Sequence, residues 1–325
     1  MKLLSAAIAS VTLVGALALQ ACSTTDVALP QKVTVTHSAL TGIGVEAGVM
    51  RRDPSDVIKV DNIYYVWYSK GKISTGYDAT VWYATSPDGH NWVEQGEALA
   101  KGKKGSWEGE SVFTPNILVA EGKYWLFYTG TSKPYKRPFS PDSKIGLAVS
   151  DSPYGPWERV SNQPILKNSD TKSDFDSHLI DDASLLVKDG KYWLYYKGRQ
   201  LGKSPKETQM GLAIADKPQG PYVKVSNTPV IPGNHEVFVW PQGNGVAAMI
   251  GDRAPANIQH SIMFAEDGIN FTRVSDVIGY PWAAGGYRPE AFTDSNKGGL
   301  PQWGVEIGKA KKQLPFIHRF DIIQN

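Results

Sequence analysis

Apolar residues in this chain come in short runs that alternate with polar positions, and the runs recur. Residues 53–71 read DPSDVIKVDNIYYVWYSKG, residues 113–131 read FTPNILVAEGKYWLFYTGT, and residues 181–199 read DDASLLVKDGKYWLYYKGR. Each holds an apolar segment, a turn such as Asp189-Gly190, and a run in which aromatic and aliphatic residues alternate. A period of two predicts strands, and Asp-Gly between apolar runs is a strong hairpin signal. A second unit follows, at residues 80–94, 144–160, 210–225 and 260–274. There a strand ends in a small residue, a Pro/Gly/Asp turn intervenes, and an aromatic residue opens the next strand.

One repeat is therefore two hairpins, or four strands. Its period, read from Tyr64 to Tyr124 to Tyr192, is 60 and then 68 residues. Two degenerate copies start within 235–250 and 287–308. Four antiparallel strands repeated about five times predict an all-β fold, a five-bladed β-propeller. A two-sheet sandwich is the alternative, but it needs no copies of one four-strand unit. The segment 32–40, KVTVTHSAL, is expected to pair with the last blade and close the ring, which removes exposed edges. No helical period of useful length occurs after residue 22.

Composition adds limits. The 325 residues carry 34 Lys+Arg against 32 Asp+Glu, so no basic stripe for nucleic acid is expected. Lys2 and the apolar run Leu3 to Leu19 read as an export signal covering residues 1–21. The end, Leu19-Gln20-Ala21-Cys22, resembles a bacterial lipoprotein cleavage site. Cys22 is the only cysteine, so it has no internal disulfide partner and is the expected site of lipid attachment. Residues 22–31 then form a tether and 32–325 the propeller domain. Ser23 favours outer-membrane sorting in a Gram-negative host. The expected location is exported, with membrane contact through the anchor alone, since no later run is long enough to span a bilayer.

In a propeller the first strand of each blade lines the central channel, and the starts of these strands converge at one mouth. The positions that open the repeats are Asp53, Glu110 and Thr114, Asp181 and Asp182, His235 and Glu236, and Arg288 and Glu290. Carboxylates crowded in a narrow mouth repel one another, which points to function. Acids among aromatic walls suit a sugar: hydrolysing a glycosidic bond takes an acid for the leaving oxygen and a base or nucleophile. Crowding splits the pKa values so that one acid stays protonated near neutral pH. Asp56, three residues beyond Asp53, is expected on the opposite strand face and reads as structural.

The set RRDPSDVIKV, SVFTPNIL, FDSHLIDDASLLVKDGKYWLYYKGR, HEVFVWP with GVAAMI, EDGINF and YRPEAFTD resembles glycoside hydrolase family 117, within the wider family 43-like propeller glycosidases. The resemblance spans about residues 45 to 308. It implies an exo-acting α-1,3-(3,6-anhydro-L-galactosidase) that removes the terminal anhydro sugar from agar-type oligosaccharides with inversion. It makes Asp53 the base that activates water and Asp182, which matches Asp53 in register, the second carboxylate. Glu236 takes the third acidic position, and His235 the place of an unusual general acid. Arg52, Thr114, His178, Lys197, Arg199, Trp240 and Arg288 lie beside these motifs as candidate substrate contacts. No cofactor is required. A divalent cation near the site is a further implication of the resemblance, without a zinc-ligand spacing of its own. The helical extension that swaps between subunits in such relatives has no counterpart between Cys22 and Asp53, so the oligomeric state stays open. Two other readings are a family 43-like glycosidase on another sugar (an arabinofuranoside, a sulfated galactan or a carrageenan unit) and a surface carbohydrate-binding lipoprotein without turnover. The retention of Asp53, Asp182 and Glu236 argues against the last.

Overall fold

The computed structural model describes residues 28–136, 141–235 and 237–324. The first strand, β1 (Lys32–Ala39), serves the last blade. Blade one holds β2 (Met50–Arg52) and β3 (Ile58–Val60), two halves of an interrupted inner strand, then β4 (Ile63–Gly71), β5 (Ala79–Ser86) and β6 (Val93–Leu99). Blade two is β7 (Ser111–Ala120), β8 (Lys123–Thr131), β9 (Lys144–Ser150) and β10 (Glu158–Arg159). Blade three is β11 (Leu179–Lys188), β12 (Lys191–Arg199), β13 (Gln209–Ala215) and β14 (Val223–Lys224). Blade four is β15 (Val239–Gln242), β16 (Gly245–Ile250), β17 (Ser261–Ala265) and β18 (Thr272–Ile278). Blade five is β19 (Gly285–Gly286), β20 (Trp303–Gly308) and β21 (Phe316–Gln324), with β1 as its outer strand.

The ring closes as the sequence predicts. β1 runs antiparallel to β21, from Val33 opposite Gln324 to Ala39 opposite His318. It also pairs in parallel with β18, Lys32 to Thr34 against Asp276 to Ile278. That second pairing fuses blades four and five into one eight-stranded sheet.

The apolar alternation of each strand feeds two seams, one on either side of its blade. Leu118, Phe127, Leu185 and Leu194 fill the seam between blades two and three. Leu186, Tyr195, Val239 and Val246 fill the next. Phe238, Trp240, Phe320 and Ile322 follow between blades four and five, then Val57, Tyr68 and Val305 between five and one, and Trp67, Ile117 and Leu126 between one and two. One short 3₁₀ turn, η1 (Pro289–Phe292), brings Phe292 against three of these seams at once, which places it at the axis.

The inner strands of blades one to three share a distortion. Phe113 pairs with Thr129 and Asn116 with Phe127, so two residues face one across the ladder. Asp181 to Lys197 and Ser184 to Tyr195 repeat the pattern. In blade one Arg52 pairs with Ser69, and the Ser55 N–H donates to the Trp67 carbonyl at 2.7 Å. Each bulge opens on a residue with left-handed backbone: Asp53 at φ 48°, Thr114 at 42° and Asp182 at 52°. A bulge turns its extra residue out of the regular alternation, and left-handed backbone at non-glycine residues costs on the order of 1–3 kcal/mol each. Pro54 and Pro115 follow directly and need no ladder partner inside a bulge.

The residue opposite each bulge is a buried tyrosine: Tyr68, Tyr128 and Tyr196. Each meets an acid and a cation. The Tyr68 hydroxyl donates to Glu94, which also accepts from Arg51. Arg159 lies over the Tyr128 ring and donates to Glu108. The Tyr196 hydroxyl donates to Asp176 at 2.9 Å, and Lys224 donates to the same oxygen at 2.5 Å. Burial first, then the adjacent carboxylate, pushes all three phenols above their usual range.

Blade five corrects the sequence reading. Its inner strand is Gly285–Gly286, preceded by the left-handed Ala283 (φ 46°) and upstream of Arg288 and Glu290. Gly285 is required there, since a Cβ would sit 1.8 Å from the Ser55 carbonyl oxygen. Arg288 is buried beneath the mouth in an ion pair with Asp56, whose other oxygen accepts the Gly286 N–H at 3.1 Å. Glu290 bonds to Ser295 and Thr293 around the η1 turn.

Candidate active site

At the mouth, a cavity of about 440 Å³ is built by two kinds of segment from each blade. The first is the start of the inner strand: Arg52 and Asp53, Phe113 and Thr114, Leu179 with Asp181 and Asp182, His235, and Trp282. The second is the loop joining second to third strand: Ser74 to Tyr77, Tyr135, Pro205 and Thr208, Arg253, and Lys309 with Gln313 and Pro315. Lys197, Arg199 and Ile307, near the ends of second strands, complete the lining.

The three bulges aim Asp53, Thr114 and Asp182 at this space, and all three also line a narrower continuation along the axis. The Arg52 guanidinium donates from Nε to Asp53 Oδ2 at 2.7 Å and from Nη1 to the Ser74 carbonyl at 2.8 Å, which fixes the carboxylate. Lys197 bonds Asp182 and reaches Asp181 at 3.3 Å, so one ammonium holds two acids. Burial pushes the Asp181 carboxyl above the ordinary range; Lys197 and Arg199 oppose this, and the charge on Asp53 adds to it. Asp53 and Asp181 are thus close enough to feel each other.

His235 sits at the edge of the same cavity. Its Nδ1 lies 3.0 Å from the Pro205 carbonyl and 3.2 Å from the Thr208 hydroxyl, whose own hydrogen goes to the Asn234 carbonyl at 2.8 Å. A carbonyl only accepts, so this pattern assigns the proton to Nδ1 and leaves Nε2 as an acceptor. Burial, with Lys197, Arg253 and Arg52 nearby, depresses the imidazole well below its usual range. A donor at Nε2 requires the imidazolium, which burial and the surrounding cations disfavour. Glu236 lies outside the described residues, as does Cys22.

Of the expected substrate contacts, Arg52, Thr114, Lys197 and Arg199 line the cavity. Three others are not brought there. Trp240 is fully buried in the seam between blades four and five and donates its indole N–H to Gln242 at 3.0 Å. Strand alternation sends it into the seam rather than the channel. Arg288 is committed to Asp56 and Ser184 below the mouth. His178 precedes β11 and bonds the Arg199 carbonyl through its backbone at 2.9 Å, one position short of the lining.

Sequence reasoning missed the loop residues. Tyr77 and Tyr135 stack at 5.3 Å with planes 10° apart, and Phe113 meets Tyr77 edge-on at 5.2 Å. Trp282 forms another wall, with Lys309 Nζ 3.3 Å and Arg253 Cζ 5.4 Å from its ring centroid. The available signal was topological: in a four-stranded blade, the loop from second to third strand lies at the end where the inner strand starts.

A divalent cation does not fit the described cavity acids. Asp53 is held by Arg52, while Asp181 and Asp182 share Lys197. Among the described residues, no three acid, histidine or cysteine side chains of the lining come together as ligands would.

Comparison with known proteins bears on the fold and the family. The profile of glycosyl hydrolases family 43 matches residues 49–185. An extracellular endo-α-(1→5)-L-arabinanase of Thermotoga petrophila is 25% identical over 186 residues, 50% of this chain; the chain spans only 38% of that relative. An endo-arabinase structure from Bacteroides thetaiotaomicron shares the fold, with TM-score 0.54 at 14% identity, covering 85% of this chain and 95% of that one. A family 117 glycoside hydrolase from the marine bacterium Zobellia galactanivorans superposes with TM-score 0.81 at 32% identity, covering 90% of this chain and 91% of that one. At that identity and coverage, the five-bladed propeller described here belongs to glycoside hydrolase family 117.

Proposed function

We propose that the chain is an exo-acting glycosidase that releases terminal 3,6-anhydro-L-galactose, or a closely related sugar, from agar-type galactan oligosaccharides with inversion. The observation that supports it is the convergence of Asp53, Asp181 and Asp182 with their cations in an aromatic-walled cavity of about 440 Å³. Asp53 takes a proton from water as that water attacks the anomeric carbon. Asp182, fixed by Lys197, orients the sugar. With the hydrogen of His235 committed at Nδ1, the leaving oxygen is protonated by Glu236, and His235 accepts a sugar hydroxyl at Nε2. Incubating the protein with neoagarobiose and a panel of galactan disaccharides, and identifying released monosaccharides, tests the reading. Binding without release from any of them contradicts it. An aryl glycoside with a good leaving group tests the acid: Glu236→Gln keeps turnover on it while losing the natural substrate.

A second reading has a specific support. Arg253 and Lys309 both approach Trp282 in the cavity wall, and convergent cations favour an anionic group. A sulfated galactan unit is the substrate of that reading, distinguished by release from sulfated members of the panel alone. Export with lipid on Cys22 completes the proposal; intact mass of the membrane-extracted chain tests it.

A further inference from the structure

On blade five, next to the cavity wall but not among its lining residues, three ligand-type side chains meet. Glu306 on β20 pairs directly with His318 on β21, and His37 on β1 stands diagonally across, so all three project from one face of the sheet. Their ligand atoms lie within 4.8 Å of one another. Glu306 Oε1 is 2.5 Å from His37 Nδ1 and 3.7 Å from His318 Nδ1, and the two imidazole planes are 3° from parallel. The carboxylate is buried and the histidines are half-exposed, so the oxygen sits between two rings with an open outer side.

We propose that His37, Glu306 and His318 form a binding site for a divalent transition-metal ion of the zinc type. Two imidazoles and one carboxylate with an open position are the donor set that such ions take, with water completing the tetrahedron. Bonds of about 2.0–2.2 Å place neighbouring ligand atoms roughly 3.3–3.6 Å apart. The His318 contact, at 3.7 Å, lies just beyond that spacing. The His37 contact must open by about 1 Å, which its surface position permits, and the ion then replaces the proton held between His37 and Glu306, which is released to water. Glu306 is aimed for this role: its Oε2 accepts the Trp282 N–H at 2.9 Å, a bond that fixes the carboxylate and leaves Oε1 facing the histidines.

The three donors come from the N-terminal strand and the two C-terminal strands that close the ring. A bound ion cross-links that closure, so its effect is on stability and does not depend on which sugar is cleaved. The test is thermal unfolding of the full chain after chelator treatment, with Zn²⁺ added back. At saturation the expected rise in Tm is roughly 3–6 °C, reversed by EDTA. His37→Gln and His318→Gln each fold without metal and lose the rise, and Co²⁺ gives the visible absorption of a tetrahedral site in the wild type only. No rise in the wild type, or an equal rise in the His37→Gln/His318→Gln double variant, overturns the proposal.

Discussion

Blades one to three and blades four and five reach the same axis by different means. Each of the first three is a separate sheet whose inner strand breaks at a left-handed Asp or Thr, backed by a buried tyrosine beside an acid and a cation; the hydroxyl donates to the acid in blades one and three. Blades four and five form one continuous sheet, stitched by β1, and give the cavity His235, Arg253, Trp282 and Lys309. The first group holds the described acids and the second a cationic and aromatic wall. Left-handed backbone also occurs at Asn234 and Ala283 in the second group, but only at Asp53 and Asp182 does it present a described carboxylate to the cavity, and the ring is sealed where β1 meets β21.

The sharpest way to separate the two groups is by activity. Asp53→Asn is expected to lower kcat by about 10²–10⁴-fold with a Tm near the wild type's, since a general base contributes that much. A steady-state assay with a parallel melt checks both parts, and retained turnover would remove Asp53 from the mechanism. The reverse pattern is expected at Trp240. Trp240→Ala should cost about 3–5 kcal/mol of stability, with the activity of the molecules still folded unchanged; urea unfolding and active-site titration read the two. Trp282→Ala is the counterpart in the wall, and its main effect should be on KM.

A smaller loss is expected from the bracket behind the third bulge. Asp176→Asn leaves Lys224 without its charged acceptor and should cost about 2 kcal/mol, measured by chemical denaturation. Blade four supplies no matching bracket among its described residues, so the corresponding loss should be confined to blades one to three.

The weakest effect is one of pH. The imidazole of His235 is depressed in the fold, so below the unfolded value near 6.5 the unfolded chain binds the proton that the folded chain refuses. Its share of stability is present above pH 6.5 and declines as pH falls below it. His235→Gln should flatten that decline between about pH 6.5 and 5, and should leave the alkaline limb of kcat/KM in place, because the neutral ring donates no proton. A limb that moves with this substitution would restore His235 as the acid.

Much of the first group is legible in the sequence. The KYW-type strands repeat in register, so Asp53, Thr114 and Asp182 fall at matching positions of the repeat. The bulges that turn them inward are not legible, because Asp-Pro, Thr-Pro and Asp-Ala only permit left-handed backbone and do not announce it. Blade five escapes because its inner strand is two glycines long and its outer strand comes from the other end of the chain. Arg288 therefore reads as a mouth residue although it is the buried partner of Asp56. Tyr77, Tyr135, Arg253, Trp282 and Lys309 sit in or beside loops without a period, and only the propeller topology places them.

The most direct measurement is proton NMR of the first sugar formed from neoagarobiose. Release of anhydrogalactose with the anomeric configuration inverted, lost in Asp53→Asn, is the predicted result. A first product of retained configuration, or binding of neoagarobiose and every other galactan disaccharide without release, would contradict the mechanism built on Asp53.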